Sequence, residues 1–192
     1  MEYLLLAIHS VFIGNLILSK FLGICPFLGV SKKLSTALGM AMAVLFVMVM
    51  ASTVTFLLYT YLLLPFDLGY LRTIVFILVI ASLVQLTEMV IQKISPALYE
   101  ALGIYLPLIT TNCAILGVAI DTIEKGHNFV GMLTYSFFGA VGFALALLLF
   151  AGIRERMETS DIPNSFKGAA SSLIVAGILS LAFMGFAGLV PG

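Results

Sequence analysis

The sequence predicts an all-α polytopic membrane protein with six transmembrane helices in two inverted three-helix repeats. Three observations lead to this prediction: an apolar composition, six long apolar segments, and a short motif that occurs twice. Of the 192 residues, 62% are hydrophobic and 9% are charged, whereas a soluble domain carries about 25% charged residues. No linker, low-complexity tract or charge run divides the chain, so we expect a single integral membrane domain over residues 1–192.

Six apolar segments follow one another along the chain, each near the ~20 residues that a helix needs to cross the hydrocarbon core. Helices are expected because lipid offers no partner for exposed backbone groups. The first segment has no basic region before it and is not expected to be a cleaved signal. The segments run roughly from Tyr3 to Cys25, Ala37 to Leu64, Leu71 to Ile91, Ala101 to Ile120, Phe129 to Phe150 and Gly168 to Val190.

The basic residues between the segments predict the orientation. One side of the membrane would carry most of them, which is the bias typical of cytoplasmic loops. We therefore expect that side in the cytoplasm and both termini outside. The inner set is Lys32, Lys33, Lys93, Arg154, Arg156 and Lys167, and the outer set is Arg72 and Lys125.

The repeated motif, Cys-x-x-Leu-Gly-Val, starts at Cys25 and again at Cys113. These are the only two cysteines in the chain. The motif divides the chain into halves of roughly 1–92 and 93–192, with three segments in each. An odd number of spans inverts the second half relative to the first, as in many transporters. A pseudo-two-fold axis in the membrane plane would then bring the two cysteines together near the bilayer midplane.

Proline and glycine near the cysteines predict that the first and fourth helices are interrupted there. Pro26 follows Cys25 directly, and Gly23 lies two residues before it. In the other half, Pro107 precedes Cys113. Proline removes a helical hydrogen-bond donor and restricts the residue before it. Broken helices at membrane depth are tolerated where they face a site inside the protein.

The paired cysteines have three interpretations: packing of free thiols, a disulfide, or metal ligation. A disulfide would be unusual in this setting, and the matched sequence around both thiols favours a metal site over packing. Thiolates bind soft metals and iron–sulfur clusters. A structural zinc or a [2Fe–2S] centre usually takes four ligands, and neither His9 in the first span nor His127 in an outer loop is well placed to help. The missing ligands would come from a second copy or a related subunit. Such a centre would relay electrons across a barrier ~30 Å thick.

Three long blocks of sequence resemble one family. They are KFLGICPFLGVSKK at residues 20–33, LGIYLPLITTNC at residues 102–113 and AGIRER at residues 151–156. Along nearly its whole length the chain resembles the A subunits of the Rnf complex, the ion-translocating ferredoxin:NAD oxidoreductase of bacteria and some archaea. The homologous D and E subunits of the sodium-pumping NADH:quinone reductase are near relatives, and the corresponding subunit of that enzyme is the alternative.

The resemblance implies a partner, a cofactor and a location in a prokaryotic inner membrane. The partner would be an E-type subunit of the same fold and opposite orientation. Two cysteines from each subunit would hold a [2Fe–2S] cluster, with Cys25 and Cys113 as the metal ligands of this chain. Electrons would pass between ferredoxin and NAD, coupled to Na⁺ or H⁺ translocation.

Other Rnf subunits (ferredoxin-like, flavin-bearing and NAD-binding) would supply the remaining sites, because this chain has no Gly-x-Gly-x-x-Gly turn and no Cys-x2-Cys-x2-Cys run. It would thus be part of a translocase without a complete active site or catalytic residues of its own. No nucleic-acid partner is expected.

Four further polar residues lie in the apolar segments. Glu88 could belong to a cation path or simply reach the interface. The Lys20 ammonium group could lie near an anionic cluster and stabilise it, or extend toward the head groups. Asn112 could donate to a cluster sulfur or bond backbone freed at the break. We assign no role to Asn15.

Two other functions fit parts of the pattern. Inverted repeats with broken helices also build secondary transporters, although the few charges in the membrane argue mildly against a substrate path. A purely structural membrane subunit is the third hypothesis. Iron analysis and electron paramagnetic resonance (EPR) of the assembled complex would separate these from an electron relay.

Overall fold

Helices lie in all six apolar segments, as the sequence predicts. The structure is a computed structural model that describes residues 2–66, 69–94, 99–100, 107–159, 163 and 168–186, and this part of the chain contains no strand. Two helices continue into π-helical turns, at His9–Ile13 and Tyr59–Leu63. The helices are α1 (Glu2–Ile8), α2 (Ile24–Val30), α3 (Leu34–Leu58), α4 (Arg72–Ile94), α5 (Pro107–Thr110), α6 (Cys113–Glu124), α7 (Phe129–Glu158) and α8 (Ala169–Met184).

Three helices among the described residues are long and apolar enough to cross a membrane. They are Leu34–Leu63, Gly69–Ile94 and Phe129–Glu158. Two shorter apolar helices, Tyr3–Ile13 and Ala169–Met184, lie in the first and last predicted segments. The chain is therefore a multi-pass helical membrane protein, while the six crossings and the inversion of the halves stay predictions.

Helices α3 and α7 form the centre of the molecule, and α1, α2, α4, α6 and α8 pack around them. Small residues on α7 let its neighbours approach closely. A Cβ atom on Gly142 would lie 3.0 Å from the Cα atom of Val11, so a larger residue would require the backbone of the first helix to shift. On the other side of the core, Phe27 of α2 stacks on Phe150 of α7 with ring centroids 4.1 Å apart.

The first and fourth segments are both interrupted, but the prolines do not cause the interruptions. The first helix already ends at Ile13, and a non-helical stretch over residues 14–23, the first break, precedes α2. Pro26 lies inside the first turn of α2, and Pro107 is the first residue of α5. Proline is tolerated there because the first N–H groups of a helix have no intrahelical partner. Residues 111–112, the second break, separate α5 from α6.

Contacts at the helix ends place two of the basic residues, while the division of all of them between the two sides of the membrane stays a prediction. Arg154 of α7 donates to the carbonyl oxygen of Leu28 at 2.7 Å and to the hydroxyl of Ser31 at 2.9 Å, directly before Lys32. At the other end, Arg72 pairs with Glu124 at 2.8 Å, directly before Lys125. Lys167 lies outside the described residues.

Candidate metal centre at the two helix breaks

Asn15 supports the first break. This side chain is fully buried, and its carbonyl oxygen accepts from the backbone N–H groups of Ile17 at 3.1 Å and Leu18 at 3.3 Å. Its amide nitrogen donates to the carbonyl oxygen of Gly142 on α7 at 2.9 Å. The hydroxyl of Ser180 on α8 donates to the carbonyl oxygen of Leu18 at 2.6 Å. These contacts satisfy backbone groups that have lost their helical partners and that lipid cannot satisfy.

The second break places Cys113 at the start of α6. Asn112 is the residue before the helix, and its side-chain oxygen accepts from the N–H group of Ala114 at 3.0 Å, which is a standard N-terminal cap. Asn112 thus forms a hydrogen bond with a backbone group at the break, which is one of its two predicted roles. Its amide nitrogen is buried and has no hydrogen-bond partner among the described residues.

A hydrogen bond joins the two breaks. The backbone N–H group of Gly23, the last residue of the first break, donates to the Sγ atom of Cys113 at 2.9 Å. Cys25 follows two residues later, in the first turn of α2. The fold thus fixes the Cys113 thiol beside the segment that carries Cys25, across 90 residues of sequence.

Gly23 is required by this geometry. Its φ angle is +79°, a conformation that costs other residues free energy, and an added Cβ atom would lie 2.7 Å from the ring of Phe143. In the same stretch Phe21 has a φ angle of +56°, which is uncommon for a residue with a side chain. Gly117 of the repeated motif also makes room, because its Cβ atom would lie 2.5 Å from the Leu22 side chain.

Both thiols are free and exposed on this chain. Within the described ranges no group of three or more histidine, cysteine, aspartate or glutamate side chains could hold a metal ion. The described part of the chain therefore presents two thiols at neighbouring breaks, without a larger group of metal-ligating side chains around them.

Lys20 has a partner that the sequence did not suggest. Its ammonium group forms an ion pair with Asp121 of α6 and donates to the hydroxyl of Tyr135 on α7 at 3.2 Å. The Tyr135 hydroxyl donates to the same Asp121 oxygen at 2.9 Å. Sequence reasoning missed Asp121 because it lies one residue past the predicted end of its span, and its partner is 101 residues away. Neither predicted role of Lys20, holding a cluster or reaching the head groups, included this ion pair.

Two basic groups in the loop before α7 lie against the same tyrosine. The ammonium group of Lys125 lies 4.8 Å from the centre of the Tyr135 ring, and the His127 ring lies 5.6 Å from it. Burial lowers the pKa of Lys125, and the charge of Lys20 lowers it further. Burial also lowers the pKa of His127 below its ordinary value of 6.5, with Lys125 acting in the same direction.

Glu88 lies apart from these groups. It is half-buried on α4, about two turns before that helix ends at Ile94. This position is close to the predicted interface, and the proposed cation path through Glu88 stays a prediction.

The fold and the two breaks define a class: a multi-pass helical membrane protein with a pair of thiols at interrupted helices. The chain belongs to the family described as Rnf-Nqr subunit, membrane protein, whose profile matches residues 3–190. Among its relatives is the A subunit of the ion-translocating oxidoreductase complex of Shewanella oneidensis, 60% identical over 98% of both chains. Proteins of the same name from Syntrophotalea carbinolica and Citrobacter koseri are each 59% identical over 98% of both chains.

Proposed function

We propose that this chain is the A subunit of an ion-translocating oxidoreductase complex of the Rnf type. In it, Cys25 and Cys113 hold one half of a [2Fe–2S] cluster that relays electrons within the membrane between ferredoxin and NAD. Electron transfer would be coupled to the movement of Na⁺ or H⁺. The names of the relatives, at about 60% identity over nearly the whole chain, support both the type of subunit proposed here and the complex to which it belongs.

The hydrogen bond from Gly23 to the Cys113 thiol carries the proposal for the cluster. An unrelated packing cysteine has no reason to contact Gly23, which lies two residues before the other cysteine of the chain. The second motif thus begins in contact with Gly23, two residues before the first motif, although the two are far apart in sequence. Such proximity is what a shared ligand site requires.

The residues present fit an iron–sulfur group in their chemistry. Two thiols supply half of the usual four ligands, and the unpartnered, buried amide of Asn112 adjoins one of them. A hydrogen bond from such an amide to a cluster sulfur would raise the reduction potential. When bound, the cluster would accept and return one electron. The chain itself would orient the thiols through the two breaks and exclude water with the apolar helices around them.

The other two ligands require a partner. Both thiols are exposed on this chain, and the described residues offer no third ligand beside them. An E-type homologue of opposite orientation would complete the site with its own pair of cysteines, so that the cluster lies on the interface between the two proteins.

Serine substitution tests this proposal directly. Cys25→Ser and Cys113→Ser should each abolish the EPR signal of the reduced cluster in the purified complex and lower its iron content. Ferredoxin:NAD activity should be lost, because the electron would have no intermediate carrier in a barrier ~30 Å thick.

Thr111→Ser is the matched control, since Thr111 is exposed beside Asn112 and its hydroxyl bond to the carbonyl oxygen of Pro107 survives the change. The control should keep the signal and the activity. Assembly of all three variants is checked by co-purification with the other subunits. Full activity in either cysteine variant would refute the relay.

A further inference from the structure

Both histidines of the chain belong to one group of ionisable side chains that the candidate metal centre does not use. We call this group the Asp121 cluster. It contains residues from the first helix, the first break, α6, the following loop and α7. Its members are His9, Lys20, Asp121, Lys125, His127 and Tyr135.

The inner part of the cluster is a closed hydrogen-bonded triad. Lys20 donates to Tyr135, Tyr135 donates to Asp121, and Lys20 and Asp121 form an ion pair. The triad is partly buried, because Tyr135 is only 3% exposed while the Lys20 and Asp121 side chains are 30% and 24% exposed. Ionisable groups inside a membrane protein are costly and usually functional.

The outer part of the cluster reaches the loop between α6 and α7. Lys125 and His127 both lie against Tyr135 from this loop. His9 faces the cluster from the first helix, where the charges of Lys125 and Lys20 act on its ring. Beyond the cluster, the exposed Arg72–Glu124 pair is the next charged feature at this end of α6.

The cluster lies between the loop and the candidate metal centre. Asp121 follows Cys113 on the same helix by eight residues, which is about 12 Å along the axis. Lys20 belongs to the first break, the segment whose last residue contacts the Cys113 thiol. An ion that moves from the loop side toward the centre would therefore meet this cluster.

The side chains of the cluster fit a proton better than a metal cation. Two ammonium groups and one carboxylate leave a net charge of +1 when both histidines are neutral. This charge disfavours any added cation, and Na⁺ would also need oxygen ligands, whereas the Asp121 carboxylate already accepts from two donors. A neutral imidazole, in contrast, accepts a proton near neutral pH. The Nε2 atom of His127 is buried and has no hydrogen-bond partner within the part of the chain that the structure describes.

We infer that the Asp121 cluster is a proton-exchange site, with His127 as the group that exchanges with the aqueous phase at the α6–α7 loop. This inference rests on the proposed function, because it places the site on the ion route of the complex. On uptake, an N–H bond forms at the free imidazole nitrogen of His127 and an O–H bond of hydronium breaks. The cluster charge then rises from +1 to +2. The Lys20–Asp121–Tyr135 triad holds the fixed charges that keep this proton exchangeable.

Two measurements on the whole complex test the inference. Infrared titration of the histidine-labelled complex in lipid, from about pH 8 to about pH 5, compares the native protein with His127→Gln. The difference should show one imidazole that gains its proton below pH 6.5, because burial and Lys125 lower its pKa. Proteoliposomes with an enclosed pH-indicator dye then report proton movement during electron transfer, and radioactive sodium reports Na⁺ movement.

His127→Gln should abolish the proton signal while the EPR signal of the complex stays unchanged. Glu124→Gln is the matched control, because this exposed carboxylate lies at the end of the same helix outside the cluster. It should leave proton movement unchanged.

A His127 imidazole that does not titrate in this range would overturn the inference. Equal proton movement in His127→Gln would overturn it as well, and so would sodium movement with no proton signal in the native complex. Absence of the EPR signal from the native complex would instead count against the proposed cluster alone, since the titration does not depend on iron.

Discussion

At the scale of single residues, a buried polar side chain and a glycine in a left-handed conformation stabilise an interrupted helix inside an apolar protein. Asn15 takes over the backbone hydrogen bonds that the first break loses, and leaving one such group unsatisfied costs about 1–3 kcal/mol. Gly23 supplies the left-handed turn that aims its N–H group at the Cys113 thiol. The candidate centre thus depends on residues that are not ligands.

Replacing Gly23 tests this dependence. Gly23→Ala should destabilise the first break, because a left-handed residue with a side chain costs about 1–2 kcal/mol and its Cβ atom would also clash with Phe143 at 2.7 Å. We expect a lower melting temperature and a lower iron content of the purified complex. Gly177→Ala is the control, since its Cβ atom would meet nothing within 4 Å on α8. Native iron content in Gly23→Ala would show that the turn does not position the thiols.

The candidate site residues that could be predicted from the sequence are those that lie in a recognisable local motif. Cys25, Cys113 and Asn112 stand in repeated or unusual contexts, and the structure brings Cys113 and Asn112 into contact with the first break. Asn15 and Asp121 were missed because their roles exist only in the fold. The amide of Asn15 reaches a carbonyl 127 residues away, and no spacing rule on a single chain reports such a pair.

At the scale of helices, the first break and α6 are joined twice. The Gly23–Cys113 hydrogen bond lies at one point, and the Lys20–Asp121 ion pair lies further along α6. The side chains of the pair are 30% and 24% exposed, so water screens the pair only in part. Removal of one partner from such a pair therefore lowers stability more than removal of one partner from an exposed pair.

A charge exchange tests whether this pair holds the break against α6. Lys20→Asp and Asp121→Lys alone should each destabilise the complex by about 2 kcal/mol or more, because each leaves like charges together in a partly buried site. The double variant should recover at least part of that loss, which a double-mutant cycle on thermal unfolding would measure. The same exchange at Arg72 and Glu124 serves as the control, and its coupling should stay within about 1 kcal/mol because Glu124 is 55% exposed. Strictly additive losses of stability at Lys20 and Asp121 would show that the ion pair does not hold the first break against α6.

Helix positions were predictable from hydropathy, while the causes of the breaks were not. Long apolar segments predict helices because lipid offers no hydrogen-bond partner for the backbone N–H and C=O groups. Pro26 and Pro107 correctly predicted interruptions nearby. Both nevertheless lie in the first turns of helices, where proline lowers helix stability little. The hydrogen bonds that stabilise the first break come from α6, α7 and α8, and a sequence alone cannot pair these helices with residues 14–23.

At the scale of the whole molecule, contacts of arginine side chains mark the two opposite ends of the protein. Arg154 and Ser31 meet at one end, beside Lys32, and Arg72 meets Glu124 at the other, beside Lys125 and the Asp121 cluster. Because the end with more basic residues is expected to face the cytoplasm, the α6–α7 loop should face the outside. The orientation therefore decides from which compartment His127 would exchange a proton.

Cysteine labelling on intact cells tests this orientation. Asn128→Cys lies in the α6–α7 loop and Glu158→Cys at the far end of α7, and both positions are exposed. A maleimide that cannot cross membranes should label Asn128→Cys in intact cells, whereas Glu158→Cys should react only after the cells are permeabilised. The unaltered complex reports any reaction of Cys25 and Cys113. The opposite pattern would place the Asp121 cluster on the cytoplasmic side. In that case the proton site would open to the compartment that also holds ferredoxin and NAD, and protons could not enter it from outside.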